Sequence, residues 1–153
     1  MSTRISFRVV AYCAAMFAML AIGSSAFARP ADSPLGTWLT ESGHGVVAIA
    51  ACGDALCGRI VGIDRDPGSL MPTDVNGRPQ CDLTIITDAK PEADGTWLGA
   101  ITDPRNGDTY RAKLWVDDNG NLHLRGFIGI SLFGSTQIWR PFTGHLGAEC
   151  GLA

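Results

Sequence analysis

The stretch Arg125-Gly126-Phe127-Ile128-Gly129-Ile130-Ser131-Leu132-Phe133-Gly134-Ser135-Thr136-Gln137-Ile138-Trp139-Arg140 decides the fold. Apolar and polar residues alternate on either side of Gly129 and Gly134, and no helical spacing of apolar positions appears. The stretch therefore reads as two β-strands joined by a glycine-punctuated bend. Strand side chains repeat every second residue, so an inward Ile138 carries Thr136 and Arg140 inward with it. An inward arginine at a strand's end needs a partner, and the ring of Trp38 is the expected one. On that reading Trp38 and Arg140 tie the first strand to the last.

The same rhythm runs through the chain on both sides. Strands are expected at residues 36–41, 46–52, 57–63, 83–87, 96–102, 109–117 and 122–128, with the last one after Gly134. Residues 109–117 alternate cleanly, with Tyr110, Ala112, Leu114 and Val116 on one face and Arg111, Lys113 and Trp115 on the other. In the next strand Leu122 and Leu124 point inward while His123 and Arg125 point outward. Asp103-Pro104-Arg105-Asn106-Gly107-Asp108 and Asp118-Asn119-Gly120 are turn sequences, because proline presets φ and Asn-Gly accepts positive φ. Gly and Pro recur too often for long helices. A meander of about eight antiparallel strands must hide its edges, and closing into an up-and-down barrel does so. Gly99, Gly126 and Gly129 suit its tight bends. At eight strands the interior is either filled by side chains or holds one small ligand.

The N-terminal residues are of another kind. Arg4 and Arg8 precede an apolar run from Val9 to Ile22, and Ala26-Phe27-Ala28 follows, so residues 1–28 read as a cleaved secretory signal peptide. That leaves residues 29–153 as a single barrel domain, periplasmic or secreted. Losing Arg4 and Arg8 moves the formal charge from −3 to −5. Such a product, with scattered basic residues, offers no stripe for nucleic acid. With no second apolar run and no amphipathic helix, stable membrane insertion after cleavage is not expected.

Four of the five cysteines lie beyond the signal: Cys52, Cys57, Cys81 and Cys150. An even number in a small exported domain implies two disulfides, with three connectivities open, and a zinc site is disfavoured because no Cys-x2-Cys pair occurs. Cys52 and Cys57 flank a short hairpin loop and are placed to bond across it. Cys81 and Cys150 then pair by exclusion, pinning the tail beside the strand that follows the long loop.

That loop, residues 64–80, holds three prolines, two glycines and three aspartates. Its length suits a lid. The Asp spacing does not match an EF-hand, and no metal or cofactor is expected. His44, His123 and His145 lack metal spacing. The surroundings of Ser131 lack the second glycine of a nucleophile elbow, so the chain is not read as an enzyme.

Taken together, Gly36-Thr37-Trp38, the hairpin ending Leu56-Cys57-Gly58, Asp74 and Asn76, Asp103-Pro104, Asn106-Gly107, Tyr110, Arg125-Gly126-Phe127 and Trp139-Arg140 resemble the bacterial DUF2147 family of exported proteins. The resemblance covers nearly all of the mature chain and implies a lipocalin- or calycin-like barrel, in which a Gly-x-Trp on the first strand faces an Arg on the last. It supplies no substrate. The expected function is non-catalytic binding of a small apolar or amphipathic ligand at the barrel mouth, by Asp74, Asn76, Asp103, Asn106, Tyr110 and Arg125. Only one of Tyr110 and Arg125 can reach the interior, because their faces are opposite. The alternative is an envelope protein-interaction module with a filled barrel, using exposed Trp115, Phe127 or Phe133, its protein partner unknown.

Overall fold

A computed structural model describes residues 33–152. The signal-peptide reading of residues 1–28 lies outside the described residues. Eight antiparallel strands follow one another around a closed barrel: β1 (Gly36–Leu39), β2 (Gly45–Cys52), β3 (Ala55–Ile63), β4 (Thr84–Pro91), β5 (Trp97–Thr102), β6 (Thr109–Val116), β7 (Leu122–Phe127) and β8 (Ser135–Pro141). Each expected strand is present. The largest boundary difference is β4, which runs on to Pro91 across a bulge between Thr87 and Lys90. Gly99 faces that bulge: a Cβ there would lie 2.6 Å from the Thr87 carbonyl oxygen, so only glycine lets β5 approach so closely.

Interior positions follow the alternation. Leu114 pairs with Leu124, Ala112 with Gly126 and Val116 with Leu122, all on the inner face. Trp139 sits opposite Leu122 and is buried, whereas Ile138 and Arg140 are exposed on the outer face. The expected facing of β8 is therefore reversed. Ile138 and Trp139 are neighbours, so only one can be inward, and the larger indole takes the core.

Closure of β1 on β8 is observed, but without the expected ring–guanidinium contact. Trp38 pairs with Pro141 and Leu39 with Arg140, so Trp38 and Arg140 lie on opposite faces of the seam. The buried Trp38 instead donates its indole N–H to the Pro34 carbonyl at 2.7 Å. The seam is short. Where β1 has ended, the Ile138 N–H donates to the Glu41 carboxylate at 3.1 Å.

Both disulfides form as expected, Cys52–Cys57 and Cys81–Cys150, each with a Cα separation of 5.8 Å. The hairpin bridged by Cys52–Cys57 is tighter than expected: Cys52 pairs with Ala55, leaving Gly53 and Asp54 as the turn, with Gly53 at φ +69°. The tail also departs from expectation. It lies beside the end of β3, before the long loop, where Gly151 bridges Ile63 in parallel. A Cβ on Gly62 would fall 2.8 Å from Leu146 Cδ2, so the missing side chain makes room for the tail leucines. They help to cover Val46, fully buried although it pairs with Gly62 on the outer face.

The two ends of the barrel differ. At the end carrying the β2–β3, β4–β5 and β6–β7 turns, the entering chain seals the interior: Pro34 is fully buried and Leu35 packs on the core. Ile49, Leu56, Ala89, Leu114 and Leu122 fill the space behind it. The opposite end carries the longer connections.

Candidate functional site at the open end

A cavity of about 690 Å³ opens among the connections β1–β2, β3–β4, β5–β6 and β7–β8. Its apolar lining is Ile85, Ile101, Leu124 and Trp139, contributed by β4, β5, β7 and β8. Polar groups ring it: Thr40 and Ser42 from the first connection, Gln80 from the long loop, Asp103 and Arg105 from the third, Tyr110, Ser135 and Gln137 from the strands. Gly126 leaves the room. A Cβ there would meet Tyr110 Cβ at 3.9 Å and Ile101 Cγ2 at 4.0 Å, both ordinary contacts, so the space beside it is open rather than forbidden.

The polar groups are preorganised by short local contacts. The Trp139 indole N–H donates to Gln137 Oε1 at 2.8 Å, so the one inward hydrogen-bond donor of the floor is already satisfied. Arg105 donates to both Asp103 oxygens, from Nε at 3.0 Å and from Nη2 at 2.6 Å. That fork holds the Asp103 carboxyl below the usual range and the Arg105 guanidinium above its own. Tyr110 donates its hydroxyl to Asp108 at 3.4 Å, and the charge of Asp108, with burial, raises the phenol further. It stays protonated at neutral pH. The rim therefore presents a permanently charged guanidinium, a phenol and amides around an apolar floor.

Of the residues expected at the mouth, the structure brings Asp103 and Tyr110 to the cavity and places the other four elsewhere. Asp74 is buried as the organiser of a turn. Its Oδ1 accepts the N–H groups of Asn76 at 2.9 Å and Arg78 at 2.8 Å, and its Oδ2 accepts Arg78 Nε at 2.7 Å. Burial works to raise its carboxyl, but these donors together outweigh it and the net shift is downward. Asn76 is part of that turn. Asn106 caps its own turn, its Oδ1 accepting the Asp108 N–H at 2.9 Å. Arg125 faces outward, in keeping with its expected parity. Its Nε donates to the Ser131 carbonyl at 2.7 Å, its Nη1 to Thr136 Oγ1 at 2.7 Å and its Nη2 to the Leu132 carbonyl at 3.2 Å.

The long connection is more built than its composition suggested. Thr73 pairs with Pro79, Gln80 Nε2 donates to the Thr73 carbonyl at 3.0 Å, and the Val75 N–H donates to the Pro104 carbonyl at 2.8 Å. That last bond docks the loop on the β5–β6 turn at the cavity's edge.

This barrel, with its Gly36-x-Trp38 entry strand and its closure of β8 on β1, has a counterpart among known proteins. The family described as "Uncharacterized protein conserved in bacteria (DUF2147)" matches residues 36–140. The chain belongs to the DUF2147 family. Among solved structures, a protein from Helicobacter pylori, HP1028, reported to belong to the lipocalin family, superposes on it with a TM-score of 0.62. The two are 14% identical, over 72% of this chain and 84% of that one. At that identity the likeness is one of fold: the DUF2147 barrel is lipocalin-like. A search of curated proteins found no match. The match to DUF2147 ends at Arg140, so the tail with Cys150 is an addition beyond the matched segment.

Sequence reasoning missed Trp139, Gln137 and Arg105. The first two were hidden by the reversed facing of β8, and the inward pairing of Leu122 and Leu124 was the signal that could have placed them. Arg105 lies within a turn, where no periodicity applies. Two of the aromatic residues expected as exposed are not: Phe127 is buried beneath the Arg111 guanidinium, 5.2 Å from its ring centroid, and Trp115 stacks on His123 at 5.0 Å.

Proposed function

We propose that this DUF2147 protein is a non-catalytic periplasmic or secreted carrier that holds one small, largely apolar molecule in the open end of its barrel. The observation that carries the reading is the cavity itself: about 690 Å³, within the range of small-molecule sites, with an apolar floor and a few convergent polar groups. A ligand would place its apolar body against Ile85, Ile101, Leu124 and Trp139 and its polar end among Arg105, Tyr110 and Asp103. The long connection, docked on the β5–β6 turn, acts as the lid. Two disulfides suit an oxidising compartment, and among the described residues no helix is long and apolar enough to cross a membrane. The disulfides support an exported protein. The titratable groups at the rim support binding over catalysis. Tyr110 is held protonated and Asp103 ionised and engaged by Arg105, so neither is poised near neutral pH.

Native mass spectrometry of the protein recovered after export tests this reading. We expect a small-molecule adduct at one equivalent that is released on unfolding. A bare mass, together with no saturable binding across a panel of apolar and amphipathic compounds, would overturn it.

A further inference from the structure

The β7–β8 connection carries four apolar side chains that the fold turns outward: Ile128 (75% exposed), Ile130 (60%), Leu132 (75%) and Phe133 (79%). These are not a frayed loop. A short 3-10 turn, Ser131–Phe133, shapes the tip, and the Arg125 guanidinium clamps it through the carbonyls of Ser131 and Leu132. Gly129, at φ +71°, allows the bend that leads into it. Exposing so much apolar surface on an anchored element is costly in water and marks a contact site.

The placement of this tip says what it meets. It leaves the barrel at the cavity end, and so does the β3–β4 connection on the other side of the eight-stranded ring, which bears exposed Leu70 and Val75. The two connections thus put exposed apolar side chains on opposite sides of the ring, and the β7–β8 tip folds back along the barrel wall, where Gly129, Ile130 and Ser131 line a groove with Leu98, Arg111 and Lys113. Beneath the β7–β8 tip stand two guanidinium groups, Arg111 and Arg125. Arg111 rests on the Phe127 ring and donates to the Gly129 carbonyl at 3.4 Å, and Arg125 bonds carbonyls and Thr136. Among the described residues neither forms an ion pair with a carboxylate, unlike Arg78, Arg105 and Lys113. The groove under the tip holds Arg111 and Lys113 against one acid, Glu92, and an apolar prong above this excess of cations complements an interface whose headgroups are anionic and whose interior is hydrocarbon.

We propose that the cavity end of the barrel docks peripherally on an anionic lipid bilayer, with Leu132 and Phe133 entering the acyl region and Arg111 and Arg125 at headgroup level. The proposal rests on the loops and their charges, independently of what the cavity holds. In the docked orientation the mouth lies beside the bilayer surface, so an apolar molecule has a short path between bilayer and barrel. The sequence marks Phe133 as an exposed contact residue, but for a protein partner; the neighbouring apolar side chains and the cations beneath them are brought together only by the fold.

The test is co-sedimentation of the full chain, recovered after export, with phosphatidylcholine vesicles made with and without phosphatidylglycerol. The comparison proteins are the double variant Leu132→Asp/Phe133→Asp and the single variant Arg111→Gln, with near-ultraviolet circular dichroism to confirm the fold. All share the same N-terminal residues, so differences report the loop and its base. Wild type should bind phosphatidylglycerol vesicles about tenfold or more tightly than neutral ones, as two cations near an anionic surface imply. The double variant should lose about tenfold in affinity. Arg111→Gln should narrow the preference for phosphatidylglycerol. Equal binding to both vesicle types, or a folded double variant that binds like wild type, would overturn the proposal and leave the tip as a contact for protein.

Discussion

The two ends of this barrel are made from the same strands and do opposite things. At one end Leu114 and Leu122 are completely buried and the entering chain plugs the opening; at the other, Ile101 is only partly covered and Gly126 leaves a space. The difference comes from which residues each strand brings to each level. Strand β6 places Leu114 toward the plugged end and Tyr110 toward the open end; β7 places Leu122 and then Gly126. Alternation decides only which residues face inward. Whether an inward position fills or empties the barrel depends on side-chain size, and toward the open end the size falls along β7, from Leu122 and Leu124 to Gly126, and along β8, from Trp139 to Ser135. Stability and binding are thereby separated in space.

That separation can be broken by mutation. Leu114→Ala at the plugged end should cost about 3 kcal/mol in denaturant-measured stability, since a fully buried leucine leaves a cavity its neighbours cannot fill. Affinity for an apolar probe should change little. Ile101→Ala at the open end should cost about 1 kcal/mol, because the side chain already borders open space, while probe affinity falls. Equal stability losses at the two sites would mean that the ends do not differ as described.

A smaller effect sits at the plugged end's rim. Asp117 accepts the N–H groups of Asn119 and Asn121 at 2.9 Å each and lies 3.0 Å from His123 Nε2. The His123 hydrogen bond leads the causes that lower its carboxyl from 3.8 to about 2. With a folded value below the unfolded one, its contribution is complete above about pH 4 and is lost as pH falls through about 2. Asp117→Asn should therefore lower the thermal midpoint at neutral pH and flatten the acid limb between those values. Parallel acid limbs for variant and wild type would refute that role. The least effect belongs to Arg140, exposed on the outer face: Arg140→Ala should shift stability by less than about 0.5 kcal/mol. A loss several times larger would restore a structural contact with the barrel seam.

Much of the fold was legible because period-two patterning and turn chemistry agree with each other. Tyr110, Ala112, Leu114 and Val116 read as sharing one face, and Leu122 and Leu124 as inward, and so they are; both disulfides followed from one hairpin and a count. Facing failed at β8, where Ile138 and Trp139 sit side by side and either could have claimed the core. The site was only half legible for a related reason. Asp74 and Asn106 carry the same chemistry whether they bind a ligand or cap a turn, and only their hydrogen bonds distinguish the two. The cavity floor is an accident of sizes summed over four strands, which no single strand's pattern reveals.

The central claim is that the open end of the barrel is a binding site, and Gly126 permits its most direct measurement. A leucine there has no backbone obstacle and would occupy the cavity beside Ile101 and Tyr110. Titrating a fluorescent fatty-acid analogue against wild type and Gly126→Leu should give saturable one-to-one binding to the first and at least about a tenfold loss in the second, with the fold intact. Undiminished affinity in a folded Gly126→Leu, or no saturable binding by wild type, would contradict the account.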